Sequence, residues 1–289
     1  MRERVARSRA LVASGRKLAV VARVMQVSRQ AIYRIPKRRP PGQRQPATGT
    51  VDRAIVEVAR DNPTDGSRMV AALASRQLSR PINRKRAQRV MRAEGLVQRH
   101  RPSGRRRRPG YFRVERPDQL WHMDMTSVWV AEHGWCYLNA AIDCCTREIA
   151  AWAIDLRCRK QEALAVVEAG VAVQRIEPGQ LVLGTDNGTA FTSRGFRARL
   201  AELEIAHRRG GYRDPESQAF IESWFSKLKE RCIWREQFET LEQARDAIGA
   251  YVERYHHRPH QFLGYRTPKE VRQTWEDAQE TETLRNQAA

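Results

Sequence analysis

The sequence predicts an α/β domain, a mixed sheet flanked by helices, preceded by all-α units. Three observations predict it. Charge is split along the chain. Residues 1–116 hold 31 Lys and Arg against 7 Asp and Glu, and residues 117–289 hold 22 against 26. Helical periodicity dominates residues 1–97, whereas from Tyr111 the texture becomes strand-like. Beyond that point the expected order is three antiparallel strands, a crossover helix, then strands and helices in alternation. That is the order of a mixed sheet covered by helices. A length of 289 residues allows two or three domains. The charge asymmetry points to a nucleic-acid-binding arm joined to a near-neutral domain.

Residues 5–35 read as a helix-turn-helix within a first domain, 1–40. Val21, Ala22, Met25, Val27, Ile32 and Ile35 have the spacing of its core positions. Ser28 can cap the second helix. The polar face of that helix carries Arg29, Gln30 and Arg34, residue types that read base edges or phosphates. Gln26 stands where a turn glycine is usual. Residues 36–50, rich in Pro, Arg, Gln and Gly, read as a linker. A second helical DNA-binding unit with an arginine-rich linker occupies 41–110. Its helices are predicted over 51–60, 67–78 and 83–94, the last capped by Asn83, ended by Gly95 and carrying Arg84, Lys85, Arg86, Arg89 and Arg92. Residues 99–108 hold six arginines, including Arg105, Arg106, Arg107 and Arg108. So little apolar content does not fold alone, and free arginines of this density bind phosphates.

The third domain spans 111–275, with a tail at 276–289. Strands are predicted over 120–130, 135–143, 148–154, 181–184 and 205–207. Helices are predicted over 161–173, 196–203, 215–234 and 241–255. Asp124 sits inside the first strand, where a charge is costly unless it binds something. Asp186 ends the fourth strand, before the Asn187-Gly188 turn. Glu222 lies on a helix whose apolar stripe is Ile221, Phe225, Leu228 and Cys232, with Lys229 two turns below it on a neighbouring stripe. Singly, each carboxylate reads as a turn former or a solvated side chain. Three converging on one point suit hard divalent cations. Two such ions activate water and stabilise the leaving oxygen in phosphoryl transfer. Asp143 and Asp155 read as structural.

The order Asp124, Asp186, 35 intervening residues, Glu222, with Lys229 seven positions later, resembles the DDE transposases and retroviral integrases. The neighbourhoods match too: Trp121-x-x-Asp124-x-Thr126, Thr185-Asp186-Asn187-Gly188, and Tyr255-x-x-x-Arg258-Pro259-His260-x-x-Leu263-Gly264-Tyr265-x-Thr267-Pro268. The chain is most similar to the second-frame transposases of bacterial insertion sequences of the IS-three family. It departs from their usual pattern at Asp65-Gly66-Ser67-Arg68, at Gln218-Ala219 and at Tyr255-His256. The resemblance implies a ribonuclease-H-like five-stranded sheet. It implies Asp124, Asp186 and Glu222 as catalytic metal ligands, two Mg2+ (or Mn2+) ions as cofactor, and Lys229 on the terminal phosphates. It also implies double-stranded DNA as partner, both the terminal inverted repeats and the target. An oligomer on DNA and a possible partner from an upstream overlapping frame belong to the same expectation.

Five cysteines, none in a C-x-x-C pair, fit a reducing compartment without a disulfide framework. His256, His257 and His260 lack a cysteine at zinc-finger spacing. No apolar run approaches a membrane span, and the N-terminus is not a signal peptide. The expected place is the cytoplasm, with the nucleoid. Two rivals stand beside a transposase: a DNA-binding regulator with a dead nuclease-like domain, and a structure-selective nuclease that cuts but never joins. The intact carboxylates speak against the first, the sequence-reading unit against the second.

Overall fold

The computed structural model describes residues 2–33, 49–97, 114–210 and 219–287. It divides into two compact units, Met1–Pro46 and Ala47–Ala289.

The first unit has three helices: α1 (Arg2–Ala13), α2 (Leu18–Val24) and α3 (Arg29–Tyr33). Val21, Ala22, Val27 and Ile32 form its core, with Met25 partly buried against them. The Ser28 hydroxyl accepts from the Ala31 amide at 3.1 Å, the expected cap. Gln26 turns the chain with φ at 51°, so a non-glycine residue takes the left-handed conformation. Arg9 donates to the carbonyls of Ile32 and Ala31 at 3.0 and 3.1 Å. It thereby satisfies acceptors that the end of a short helix leaves open. Ile35 lies outside the described residues.

The second unit opens with α4 (Gly49–Asp61), α5 (Ser67–Gln77) and α6 (Arg84–Ala93). They close around Ile55, Val70, Ala74, Ala87 and Met91. Asn83 caps α6 by accepting from the Lys85 amide at 2.8 Å. Arg84, Lys85 and Arg89 stay exposed on that helix.

The sheet follows: β1 (Leu120–Val130), β2 (Gly134–Asp143), β3 (Ile149–Asp155), then α7 (Lys160–Gln174) and β4 (Val182–Thr185). After β4 come α8 (Thr189–Thr192), α9 (Arg194–Glu202), β5 (Ala206–Arg209), α10 (Ala219–Arg231), α11 (Leu241–His256) and α12 (Pro268–Gln287). Strand order is β3-β2-β1-β4-β5. The first three pair antiparallel, while β4 joins β1 and β5 in parallel. This is the ribonuclease-H-like arrangement. Alternation along β1 feeds two cores. Trp121 and Met123 bury on one face with Val167, Phe196 and Leu200. Val128 and Val130 bury on the other with Ile221, Trp224, Leu228 and Ile248.

α7 lies tight on its face because Gly170 has no side chain. A β-carbon there would sit 2.9 Å from the Trp121 ring and 3.0 Å from Ala151. Gly170→Ala is expected to destabilise the fold by about 1–3 kcal/mol through overpacking. Denaturant unfolding checks this, and an unchanged midpoint would show that the Trp121 ring yields freely.

Two buried ion networks fasten the outer helices. Asp65, in the α4–α5 loop with its side chain 3% exposed, accepts from Arg231 at 2.8 Å and from Arg258. Arg258 also donates to Asn62 at 3.0 Å. On α12, Arg272 holds Asp118 at 2.8 and 3.1 Å and also pairs with Glu148. Asp143, at the end of β2, accepts from the amides of Cys145 and Thr146 at 2.6 and 2.7 Å and from that of Asp118. It is the strand-end turn residue that the sequence predicts. α8 and α12 are absent from the sequence reading, and α12 runs unbroken through residues 276–287.

Candidate active site

β1 is the middle strand of the sheet, so Asp124 is not at an edge. Its parallel register with β4 pairs Met123 with Thr185. The next residue along the chain in each case is a carboxylate, Asp124 within β1 and Asp186 just past the end of β4. Adjacent strands run about 4.8 Å apart, so the two acids leave the sheet side by side. Asp124 lies on the face that also carries Val128 and Val130, the face covered by α10 and α11. Glu222 is in the first turn of α10. Ile221, Trp224, Phe225 and Leu228 bury that helix against the sheet, and Glu222 stays on its exposed side.

Asp124 feels the charges of both other acids. The Asp124 carboxyl is pushed up to about 6, chiefly by burial. The amide of Met125, which donates to it at 2.7 Å, opposes the rise. The charges of Asp186 and Glu222 add to the rise, and Lys229 opposes it. Asp186 spends one oxygen accepting from the Gly188 amide at 2.9 Å. Among the described residues no three acidic, histidine or cysteine side chains are close enough to hold an ion together.

A column of side chains seats the start of α10. His122 faces Gly184 across the β1–β4 pair. A β-carbon on Gly184 would come within 2.8 Å of the imidazole, so the ring needs a glycine there. Phe220 stacks on His122 with centroids 5.8 Å apart. The Arg147 guanidinium lies 3.2 Å from the centre of the Phe220 ring. Burial first, then Arg147 and Arg208, pull His122 down to about 4, so it is neutral at pH 7. Sequence reasoning passed over all three residues. Phe220 carried a usable signal, being an aromatic two residues before the helix carboxylate.

The DNA-contact candidates are spread over both units. Arg29 and Gln30 are exposed on α3, and Arg84 and Lys85 on α6. Arg34 and Arg105, Arg106, Arg107 and Arg108 lie outside the described residues.

Residues 114–215 match the integrase core domain family, and residues 203–268 match a second family of the same description. The transposase InsD for insertion element IS2-9 of Escherichia coli strain K12 is 28% identical over 285 residues, 93% of each chain. The chain is similar to insertion-sequence transposases and carries matches to an integrase core. A second Escherichia coli relative, the transposase InsD for insertion element IS2A/D/F/H/I/K, is 28% identical over 280 residues, 91% of this chain and 93% of that one. Among solved structures, a simian T-cell lymphotropic virus intasome in complex with PP2A regulatory subunit B56 gamma aligns with a TM-score of 0.39 at 18% identity. The alignment covers 60% of this chain and 59% of that chain.

Proposed function

We propose that Asp124, Asp186 and Glu222 are the catalytic centre of a DNA transposase that cuts strands at the ends of an insertion sequence and joins them to a target. One observation carries this reading. The β1–β4 register sets Asp124 beside Asp186, and α10 brings Glu222 to the same face.

The donor set is all oxygen, and burial first, then the charges of Asp186 and Glu222, raise the Asp124 carboxyl, as expected where negative charge is gathered. Those are the properties a hard divalent cation requires. Asp124, Asp186 and Glu222 would hold such ions. Once bound, they supply activation of an attacking oxygen and stabilisation of the leaving one.

The chain's own groups do the rest. In the first step a water oxygen bonds to phosphorus, the bond to the 3′ oxygen breaks, and that oxygen leaves as a hydroxyl. In the second step the freed 3′-OH attacks a target phosphodiester: its oxygen bonds to phosphorus and gives up its proton, the target's own bond from phosphorus to its 3′ oxygen breaks, and that oxygen leaves as a hydroxyl. Lys229, close enough to oppose the charge on Asp124, sets a fixed cation beside the reacting phosphate. Phe220 and Arg147 hold the first turn of α10, and so Glu222, against the sheet face that carries Asp124. Arg29, Gln30 and Arg34 read end sequence. Arg84, Lys85 and Arg105–Arg108 supply phosphate contacts. Joining two ends to one target calls for at least two copies of the chain on DNA. A product of an upstream overlapping frame is a further partner of that assembly.

The test is product analysis on duplexes carrying the element's ends. Both 3′ cleavage and joined strands are expected with Mg2+, and neither without a divalent ion. Binding without cutting would make the protein a regulator. Cutting without joined products would make it a nuclease. No helix among the described residues is long and apolar enough to cross a membrane.

A further inference from the structure

We infer that the cleft between the α4–α5 loop and helices α10 and α11 is a phosphodiester site for duplex DNA, separate from the carboxylates. The proposal rests on the transposase reading only in taking DNA as the substrate.

The cleft has a volume of about 280 Å3 and is lined by Arg231, Arg235, Arg254 and Arg258. Asn62, Thr64 and the Tyr251 ring complete its wall, with Asp61 at the rim as a counter-charge. Four guanidiniums around one small opening are costly unless something negative enters. Part of that cost is met from inside. Buried Asp65 pairs with Arg231 and Arg258 and fixes both side chains. Arg235 and Arg254 carry no such carboxylate partner among the described residues, and both are exposed. Arg235 is nonetheless oriented, because its Nε donates to the Glu230 carbonyl at 2.8 Å. Lys227 adds a fifth cation to the neighbourhood. Its ammonium is pulled below its ordinary range by burial, and also by Arg231 and Arg258. Positive charge is therefore in excess here even after Asp65 is counted.

A planar fork of donors suits phosphate oxygens, which two guanidiniums can bind in pairs. Asn62 supplies a neutral polar wall. The exposure of Arg235 and Arg254 suits a DNA backbone, which presents its phosphates along an open surface, better than an enclosed free anion. Arg231 and Glu222 lie on one continuous helix, nine residues or two and a half turns apart, so they face opposite ways and the cleft is a place apart from the carboxylates. Asp65 stands in a segment where the chain departs from the pattern of similar transposases, and it is what holds this wall of the cleft together.

The experiment uses the full chain without divalent ions, so cutting does not enter. Fluorescence anisotropy would follow binding to an end duplex and to a random duplex at several salt concentrations. With Arg235→Ala and Arg254→Ala combined, both affinities are expected to fall together. The slope of log affinity against log salt should become shallower by about 0.9 for each phosphate that the protein no longer neutralises. Arg245→Ala, which removes an exposed arginine of α11 outside the cleft, should leave the slope unchanged. An unchanged slope in the double variant would overturn the proposal, as would an equal change in Arg245→Ala. Titration calorimetry with inorganic phosphate separates the sources. If wild type takes up phosphate and the double variant does not, yet both keep the same DNA slope, the cleft holds a free anion and the assignment to DNA fails. Far-ultraviolet circular dichroism checks folding, and Arg254→Gln alone serves if the double variant does not fold. None of these readouts depends on cleavage, so loss of the catalytic reading would leave the result interpretable.

Discussion

Asp124→Asn, Asp186→Asn and Glu222→Gln are each expected to lower strand cleavage by at least ~10³-fold, about 4 kcal/mol of transition-state stabilisation, with end binding unchanged. Each amide keeps the shape of the acid and removes the charge that a hard cation needs. Asp124→Asn carries a second expectation that the other two do not. Burial already pushes this acid from 3.8 to about 6. A group raised in the folded state contributes stability below its unfolded value, and that contribution is lost as pH rises through the folded one. At pH 7 the ionised Asp124 is therefore a burden on the fold. In buffer without divalent ions its replacement by Asn should stabilise the protein by roughly 1–2 kcal/mol. A variant that is dead but more stable marks a side chain kept for chemistry rather than for packing. Cleavage within about tenfold of wild type would remove that residue from the centre.

Arg272→Ala is expected to be the most destabilising single change outside the two main cores. Arg272 is the cation between Asp118 and Glu148, all three side chains being at most 13% exposed. Asp118 also accepts from the Trp121 indole at 3.0 Å, and its own amide donates to Asp143. Removing the guanidinium leaves two buried carboxylates unpaired beside a third, at a cost of about 3–5 kcal/mol. For a unit of this size the melting midpoint should fall by about 10 °C. Arg272→Lys should recover less than half of the loss, because a point charge cannot fork between two carboxylates. Thermal unfolding followed by tryptophan fluorescence measures both. A loss below about 1 kcal/mol would mean that the carboxylates find other partners.

The strands were legible because alternation is local. Leu120–Val130 reads as apolar and polar by turns, and its observed ends are the same residues. α10 was legible because Ile221, Phe225 and Leu228 recur at helical spacing, and all three are buried. α12 was not drawn because Arg272-Gln273-Thr274-Trp275-Glu276-Asp277 offers no apolar stripe. Its start was nevertheless written in the chain. Thr267 and Glu270 form a reciprocal capping box at 2.8 and 3.1 Å around Pro268. α8 is only four residues long, too short for any period to register. The carboxylates were found through the spacing shared with a known family, since each one alone fits a blander role. The sheet register then gives a physical reason for Asp124 and Asp186 to be neighbours. The Phe220–Arg147 contact and the Asp65 clamp were beyond reach. Both join residues far apart in the chain through charge or a ring face, and neither leaves a periodic trace.

The parallel pairing of β1 with β4 also sets an order of events. Asp124 and Asp186 come together only after α7 has crossed over and the chain beyond it has been made. Non-local pairings of this kind form slowly, whereas the small helical units upstream close over short loops. During synthesis the N-terminal segments leave the ribosome first and fold as units. On the function proposed above, a nascent copy of this protein acquires its grip on DNA before it acquires the means to cut it.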